Sequence, residues 1–303
     1  MVYIPGGTFI MGTTKGEEKE RPEHEVYLDG YWIGKYPVTV AHFRKFVKAT
    51  GYITDSEKGQ GSWIEYDDGA IRYDVSWASP GFKQKDNHPV ICVSWNDANA
   101  YYSWLSLQIG IDFSLPTEAQ WEKAARGTDQ RLYPWGNQIP DGSQCNFADI
   151  NYMKRFGKTG RNPSEQVNDG YAQTSPVNAY LEGQSPYGIF DMAGNTIDWL
   201  YDWFDPDYYT KSPLNNPIGS KKNPKRIKYN IPGGWGSNLQ RCIRGGAWTD
   251  ASGELSLAEG GHSVRSDMRE HTDQYSSDDH LGFRLCKDYI NRDPKIVFQL
   301  KRK

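Results

Sequence analysis

The sequence predicts an α+β domain with few, short regular elements, and three observations lead there. Aromatic residues make up 14% of the chain within a hydrophobic set of 37%, which leaves about 23% for Ala, Val, Ile, Leu, Met and Cys together. Large rings must therefore do much of the burying. Glycine and proline number 31 and 17, about one residue in six, so turns and irregular backbone are frequent. Only three stretches carry strong helical patterning, and the strand-like runs around them are short.

The first predicted helix covers Val40–Thr50, with Thr39 as N-cap, Phe43, Phe46 and Val47 on one face and Gly51 as its stop. The second starts at Ser94, which pairs with Asp97 in a capping-box-like arrangement, and runs through Ala98, Tyr101 and Leu105 to Gly110. In the third, Thr117 and Gln120 form a capping box, Trp121, Ala124 and Ala125 face inward, and Gly127 ends it. Strands are expected at Thr8–Met11, Glu25–Leu28, Tyr31–Ile33, Val90–Val93, Cys242–Arg244 and Gly282–Cys286. Between Arg126 and Gly245 no helix is expected beyond a turn or two around Thr196–Trp203. Bound cations, buried tryptophans and side-chain-to-backbone bonds would have to organise so long an irregular stretch.

Charge excludes several functions. With 35 Lys+Arg against 38 Asp+Glu, a net charge of -3 gives no global attraction to nucleic acid. No run of about 18 apolar residues is present, so no membrane span is expected. The basic groups Lys221–Lys228 and Lys295–Lys303 read as solvated charge clusters. Four cysteines, none in a C-x-x-C pair, argue against a disulfide scaffold or a structural zinc site. The N-terminus resembles no signal peptide, which suits a cytoplasmic protein or one exported after signal removal.

Nine segments, taken in order, carry a family resemblance. They are Ile4-Pro5-Gly6-Gly7-Thr8-Phe9-x-Met11-Gly12, Pro22-x-His24-x-Val26-x-Leu28, Pro37-Val38-Thr39, His88-Pro89-Val90-x-x-Val93-Ser94-Trp95-x-Asp97-Ala98 and Leu115-Pro116-Thr117-Glu118-Ala119-Gln120-Trp121-Glu122. Then follow Tyr133-Pro134-Trp135-Gly136, Met192-Ala193-Gly194-Asn195-x-x-Asp198-Trp199, Arg244-Gly245-Gly246-Ala247-Trp248 and Leu281-Gly282-Phe283-Arg284. Together they resemble the formylglycine-generating enzyme, or sulfatase-modifying factor, family over residues 3–287. The resemblance implies one C-type-lectin-like domain of low regular structure, here residues 1–290, followed by a basic tail at 291–303.

Enzymes of that family oxidise a substrate cysteine to formylglycine with two copper-binding cysteines in the pattern Gly-Gly-Ser-Tyr-x-Cys-x-x-x-x-Cys. Laid on Gly245–Leu255, the pattern puts Asp250 and Leu255 at the cysteine positions. Ala247 replaces the motif serine, and Ile197 replaces a family tryptophan. A soft Cu(I) site needs thiolates, so no copper and no catalytic residues are expected. The family's calcium positions keep oxygen donors, as a hard cation requires. The first site would take the Asn146 side chain, Phe147 carbonyl, Asp169 and Tyr171 carbonyl; the second would take Asp191, the Gly194 and Thr196 carbonyls, and Asp198. Asx-turns without metal are the competing reading of both.

With the chemistry gone, the polar segment between Trp248 and Leu281 becomes the expected recognition surface for a protein or small ligand. Trp248, Asp250, Glu254, Arg265, Arg269, His271, Tyr275 and Asp279 are its candidate contacts. Related cysteine-less proteins bind ligands there, some diversified by retroelements. Two alternatives remain open. His262, His271 and His280, spaced nine apart, could support a metal-dependent oxidase or oxygenase, or the chain could be a non-catalytic partner of an active family enzyme.

Overall fold

The computed structural model describes residues 1–65, 69–157, 163–220, 239–251 and 264–288. In chain order its strands are β1 (Val2–Ile4), β2 (Gly7–Met11), β3 (His24–Leu28), β4 (Tyr31–Ile33), β5 (Ser62–Ile64), β6 (Ala70–Arg72), β7 (Ile197–Trp203), β8 (Gln240–Arg244), β9 (Glu270–Asp273), β10 (Leu281–Gly282) and β11 (Cys286–Asp288). Its α-helices are α1 (Val40–Thr50), α2 (Trp95–Ile109), α3 (Glu118–Arg126) and α4 (Ile150–Phe156).

The predicted helix ends hold. Thr39 Oγ1 accepts the His42 N–H, and Gly51 ends α1 in the left-handed conformation at φ 65°. Ser94 with Asp97, and Thr117 with Gln120, form complete capping boxes at the starts of α2 and α3. Four expectations are corrected. Helix α4 stands inside the stretch from Arg126 to Gly245 where no helix is expected, because Asp149 caps it by accepting the Asn151 and Tyr152 N–H groups. Val90–Val93 forms no strand among the described residues and is held by single bonds, Val90 N–H to Val38 O and Cys92 N–H to Asp278 O. Thr196–Trp203 is not a helical turn, since Ile197–Trp203 is β7, flanked by β8 and β10. Gly282–Cys286 is two strands rather than one, because β10 pairs parallel with β7 while β11 pairs antiparallel with β4.

A four-stranded sheet, β10-β7-β8-β9, forms the centre, and a three-stranded sheet, β1-β4-β11, closes N-terminal strands against a late one. Two hairpins, β2-β3 and β5-β6, complete the pairing. Helix α3 packs on β2, β3, β7 and β8, and every one of its residues is buried. Rings supply the largest buried apolar side chains, as the composition predicts. Phe43, Phe46, Trp95, Tyr101, Trp199, Trp248 and Phe283 share one cluster, and Trp121, Tyr31, Phe204 and Tyr209 share another. The Tyr133–Gly136 turn closes on two main-chain bonds, with the Tyr133 and Trp135 rings stacked at 5.1 Å. No helix among the described residues is long and apolar enough to cross a membrane.

One buried histidine gives the fold a pH dependence. Burial, helped by Lys85, lowers the His88 pKa from 6.5 to about 4, and its Nδ1 lies 3.0 Å from Thr174 Oγ1. Between those two values the unfolded chain binds a proton that the fold refuses. Stability is therefore undiminished above about pH 6.5 and falls as pH drops toward 4. Urea titrations across this window should show a shallower acid loss in His88→Gln than in the parent.

Candidate functional site

The loop that follows β8 carries the positions where the resemblance puts redox cysteines. Gly245 and Gly246 take φ of 108° and 65°, and a Cβ on Gly245 would lie 3.1 Å from the Trp121 ring. The next residues turn back on themselves. Asp250 Oδ2 accepts the Ala247 N–H at 2.9 Å, and the Asp250 N–H donates to Ala247 O at 3.0 Å. Two bonds fasten this turn to its surroundings, Gly194 N–H to Gly245 O at 2.8 Å and Ala148 N–H to Asp250 O at 2.9 Å. Beside the turn, Gly245, Gly246, Asp250, Met268 and Glu270 help line a cavity of about 10 Å³, roughly one water.

Among the described residues of 248–281, polar character does not by itself translate into exposure, which corrects the surface reading for several candidates. Trp248 is fully buried among Phe82, Tyr152 and Phe156, with its Nε1 donating to Asp279 O at 3.1 Å. Asp250 is buried in its own turn. Arg265 is buried against Glu20 and Asp267 at 3.2 and 2.9 Å. Arg269 reaches both Glu118 oxygens at 2.8 and 3.0 Å. Asp279, also buried, accepts from Glu65 N–H and sits 2.8 Å from His280 Nδ1. The physical reason is common to all five: each polar group meets an internal partner, so burial leaves little unsatisfied. His271 is half-buried against Phe204, and Tyr275 is exposed. Glu254, Leu255, His262 and the basic runs 221–228 and 295–303 lie outside the described residues.

The partners of these residues carried no sequence signal. Glu118 and Glu122, on a helix whose pattern suggested one inward face, anchor Arg269 and Arg244 across more than a hundred residues of chain. His280 is held in a similar way. Burial disfavours its charge, but the Asp279 bond, with Asp279, Asp278 and Asp250 around it, outweighs burial and raises its pKa to about 9.

The candidate calcium positions fall in two adjoining turns. Asp169 accepts the Phe147 and Tyr171 N–H groups at 2.9 and 2.8 Å, which draws Asn146, Phe147, Asp169 and Tyr171 together. Asp191 and Asn195 adopt positive φ, and Asn195 Nδ2 donates to Asp191 Oδ2 in the turn that leads through Gly194 and Thr196 into Asp198. Asp198 Oδ2 is taken by Trp121 Nε1 and Arg284 Nε. What remains is informative: Asn146 Oδ1 and Asp198 Oδ1 are buried and accept no hydrogen bond. One orphaned oxygen per turn, with carbonyls close in sequence, suits a hard cation. Among the described residues no three His, Cys, Asp or Glu side chains gather as metal ligands, so amide and carbonyl oxygens would have to supply most of the shell. Among the described residues no such group forms around His271 or His280, and His262, the third histidine of that alternative, lies outside them.

All four cysteines are free and buried. Burial pushes the Cys92, Cys145 and Cys242 thiols well above their ordinary range, the reverse of what a thiolate ligand needs.

The family model of the sulfatase-modifying factor enzyme 1-like domain matches residues 1–289. The formylglycine-generating enzyme of Thermomonospora curvata is 37% identical over 259 residues, covering 75% of this chain and 80% of that protein. The inactive C-alpha-formylglycine-generating enzyme 2 of Mus musculus is 30% identical over 311 residues, covering 94% of this chain and 85% of its own. Among solved structures, PvdO of Pseudomonas aeruginosa matches with a TM-score of 0.68 at 23% identity, covering 94% of this chain and 93% of that one. Treponema denticola variable protein 1 matches with a TM-score of 0.63 at 19% identity over 95% and 94%. At these identities the two structures speak for a shared fold alone.

Proposed function

The chain belongs to the sulfatase-modifying factor family, that of the formylglycine-generating enzymes, and from that premise we propose that it is a member without copper–thiolate chemistry, working as a calcium-stabilised binding module. Asp250 is the observation that carries this reading. It stands where the first cysteine is expected, and its carboxylate is turned back on the Ala247 N–H. Cu(I) selects sulfur, and neither Asp250 nor Leu255 has any. The four buried cysteines lie outside this window. Among the relatives, two bear the name of an inactive enzyme.

Two calcium ions would complete the orphaned Asn146 and Asp198 oxygens and fasten the irregular middle of the chain to the loop at Gly245–Asp250. Their charge would stabilise buried carboxylates; they supply no redox chemistry. Ligand contacts fall to groups open to solvent, with the exposed Tyr275 the leading one among the described residues of 248–281. Diversification by a retroelement, if this chain shares it, would have to spare Arg265, Arg269 and Asp279, because each is buried on a fixed partner. A titration with Cu(I) against a chromophoric chelator tests the reading. The expected result is no copper retained by the chain; one tightly held copper per chain would overturn it.

A further inference from the structure

We propose that the outer face of the β5–β6 hairpin is a docking platform for a Lys/Arg-rich segment of a partner protein. The inference rests on the binding-module reading and names its partner class. Strand pairing sets Trp63 opposite Ile71 and Ser62 opposite Arg72, so the pleat puts Gly61, Trp63, Ile71 and Tyr73 on one face. Ser62 and Ile64, on the other face, are buried. The outward rings are open, Trp63 at 38% and Tyr73 at 71% exposure.

Glycines lie close to both rings. A Cβ on Gly69 would come within 2.9 Å of the Trp63 ring, and one on Gly61 within 3.1 Å of Tyr73. The Trp63 ring is thus laid across bare backbone at Gly69, while the Tyr73 ring approaches Gly61 with one edge. The hairpin is also firmly mounted. Trp63 N–H donates to Ser277 O at 2.8 Å, Asp279 N–H donates to Trp63 O at 3.1 Å, and the Ser62 and Ser277 hydroxyls meet at 2.8 Å. Rings preorganised in this way lose little entropy when a partner stacks on them.

Charge selects the partner. Among the described residues, two carboxylates stand beside the rings, Glu65 and Asp74. Trp63 Nε1 donates to Glu65 Oε2 at 2.8 Å, fixing a carboxylate beside the ring, and exposed Asp74 follows Tyr73. Lys58 is occupied with Asp55 at 3.1 Å and with the Tyr52 ring. Aromatic faces flanked by carboxylates bind guanidinium and ammonium groups by cation–π attraction and ion pairing together. The molecule already uses such stacking inside itself, where the Arg241 guanidinium lies 3.7 and 3.4 Å from the Trp95 and Trp203 rings.

The test is fluorescence anisotropy of labelled oligo-arginine and oligolysine peptides on the full chain. Binding should favour arginine, weaken as salt rises from about 50 to about 300 mM, and drop about tenfold or more in Tyr73→Ala and Trp63→Ala. Asp74→Asn, which leaves both rings in place, should weaken it as well, and unchanged melting temperatures separate lost contacts from lost folding. No binding, binding indifferent to both Tyr73→Ala and Asp74→Asn, or competition by a neutral oligosaccharide overturns the platform. A ligand whose footprint covers Tyr275 and His271 but not this hairpin would sink the platform while leaving the binding-module reading intact.

Discussion

Arg269→Ala is expected to lower the unfolding free energy by about 3–5 kcal/mol, the usual effect of removing one partner from a buried ion pair. The guanidinium is fully buried and donates to both Glu118 oxygens, to Lys19 O at 3.1 Å and to Asp205 O at 2.9 Å. It also lies 4.7 and 4.6 Å from the Phe204 and Tyr209 rings. One side chain therefore joins the N-terminal loop, α3, the turn after β7, and β9. Alanine would strand the Glu118 carboxylate in the core, and Arg244, 3.9 Å away, is too distant to replace the lost bonds. Urea denaturation measures the loss. A change under about 1 kcal/mol would mean that Arg269 is not structural, and would return it to the ligand-facing surface that the sequence suggested.

Calcium removal is the second large effect. If two cations complete the turns at Asn146–Tyr171 and Asp191–Asp198, each site adds about 4 kcal/mol when free calcium exceeds its Kd about a thousandfold. Excess chelator should then lower the melting temperature by many degrees, and added calcium should restore it. Asn146→Ala should blunt the response, because it deletes a buried oxygen that no protein donor uses. Identical melting curves with chelator and with calcium would leave the Asx-turn reading in its place.

Local signals in the sequence were reliable where the chain itself closes the interaction. Thr39, Ser94 and Thr117 cap their helices because each cap bonds three residues onward. The helix α4 was legible in the same way and was missed, since Asp149 accepts the Asn151 and Tyr152 N–H groups and Gly157 ends the helix. Residues 197–203 were misread for a different reason. As an interior strand of the central sheet, β7 buries nearly every side chain, so Ile-Asp-Trp-Leu-Tyr-Asp-Trp lacks the alternation that marks a half-exposed strand. The hairpin β5–β6 has three residues per strand, each strand preceded by a glycine, which hides its pairing.

At the candidate site, the positions of Asp250 and of the candidate calcium donors came from the motif order. What those groups do there was not readable. Polar residues from 248 to 281 suggested a wet surface, yet Arg265, Arg269 and Asp279 are interior because Glu20, Glu118 and His280 meet them. Pairings of that kind span up to 245 residues of chain for Arg265 with Glu20. No periodicity or spacing in one sequence announces such a partner, so polarity alone cannot separate a solvated charge from a buried and neutralised one.

The proposed absence of the cysteine chemistry is tested most directly on a cysteine peptide taken from a sulfatase. The full chain is incubated with the peptide, Cu(I) and oxygen, and the peptide mass is followed against a protein-free control. The expected result is a mass that stays with the control, because Asp250 and Leu255 give copper no sulfur to bind. Conversion of the cysteine to formylglycine over repeated turnovers would contradict the account.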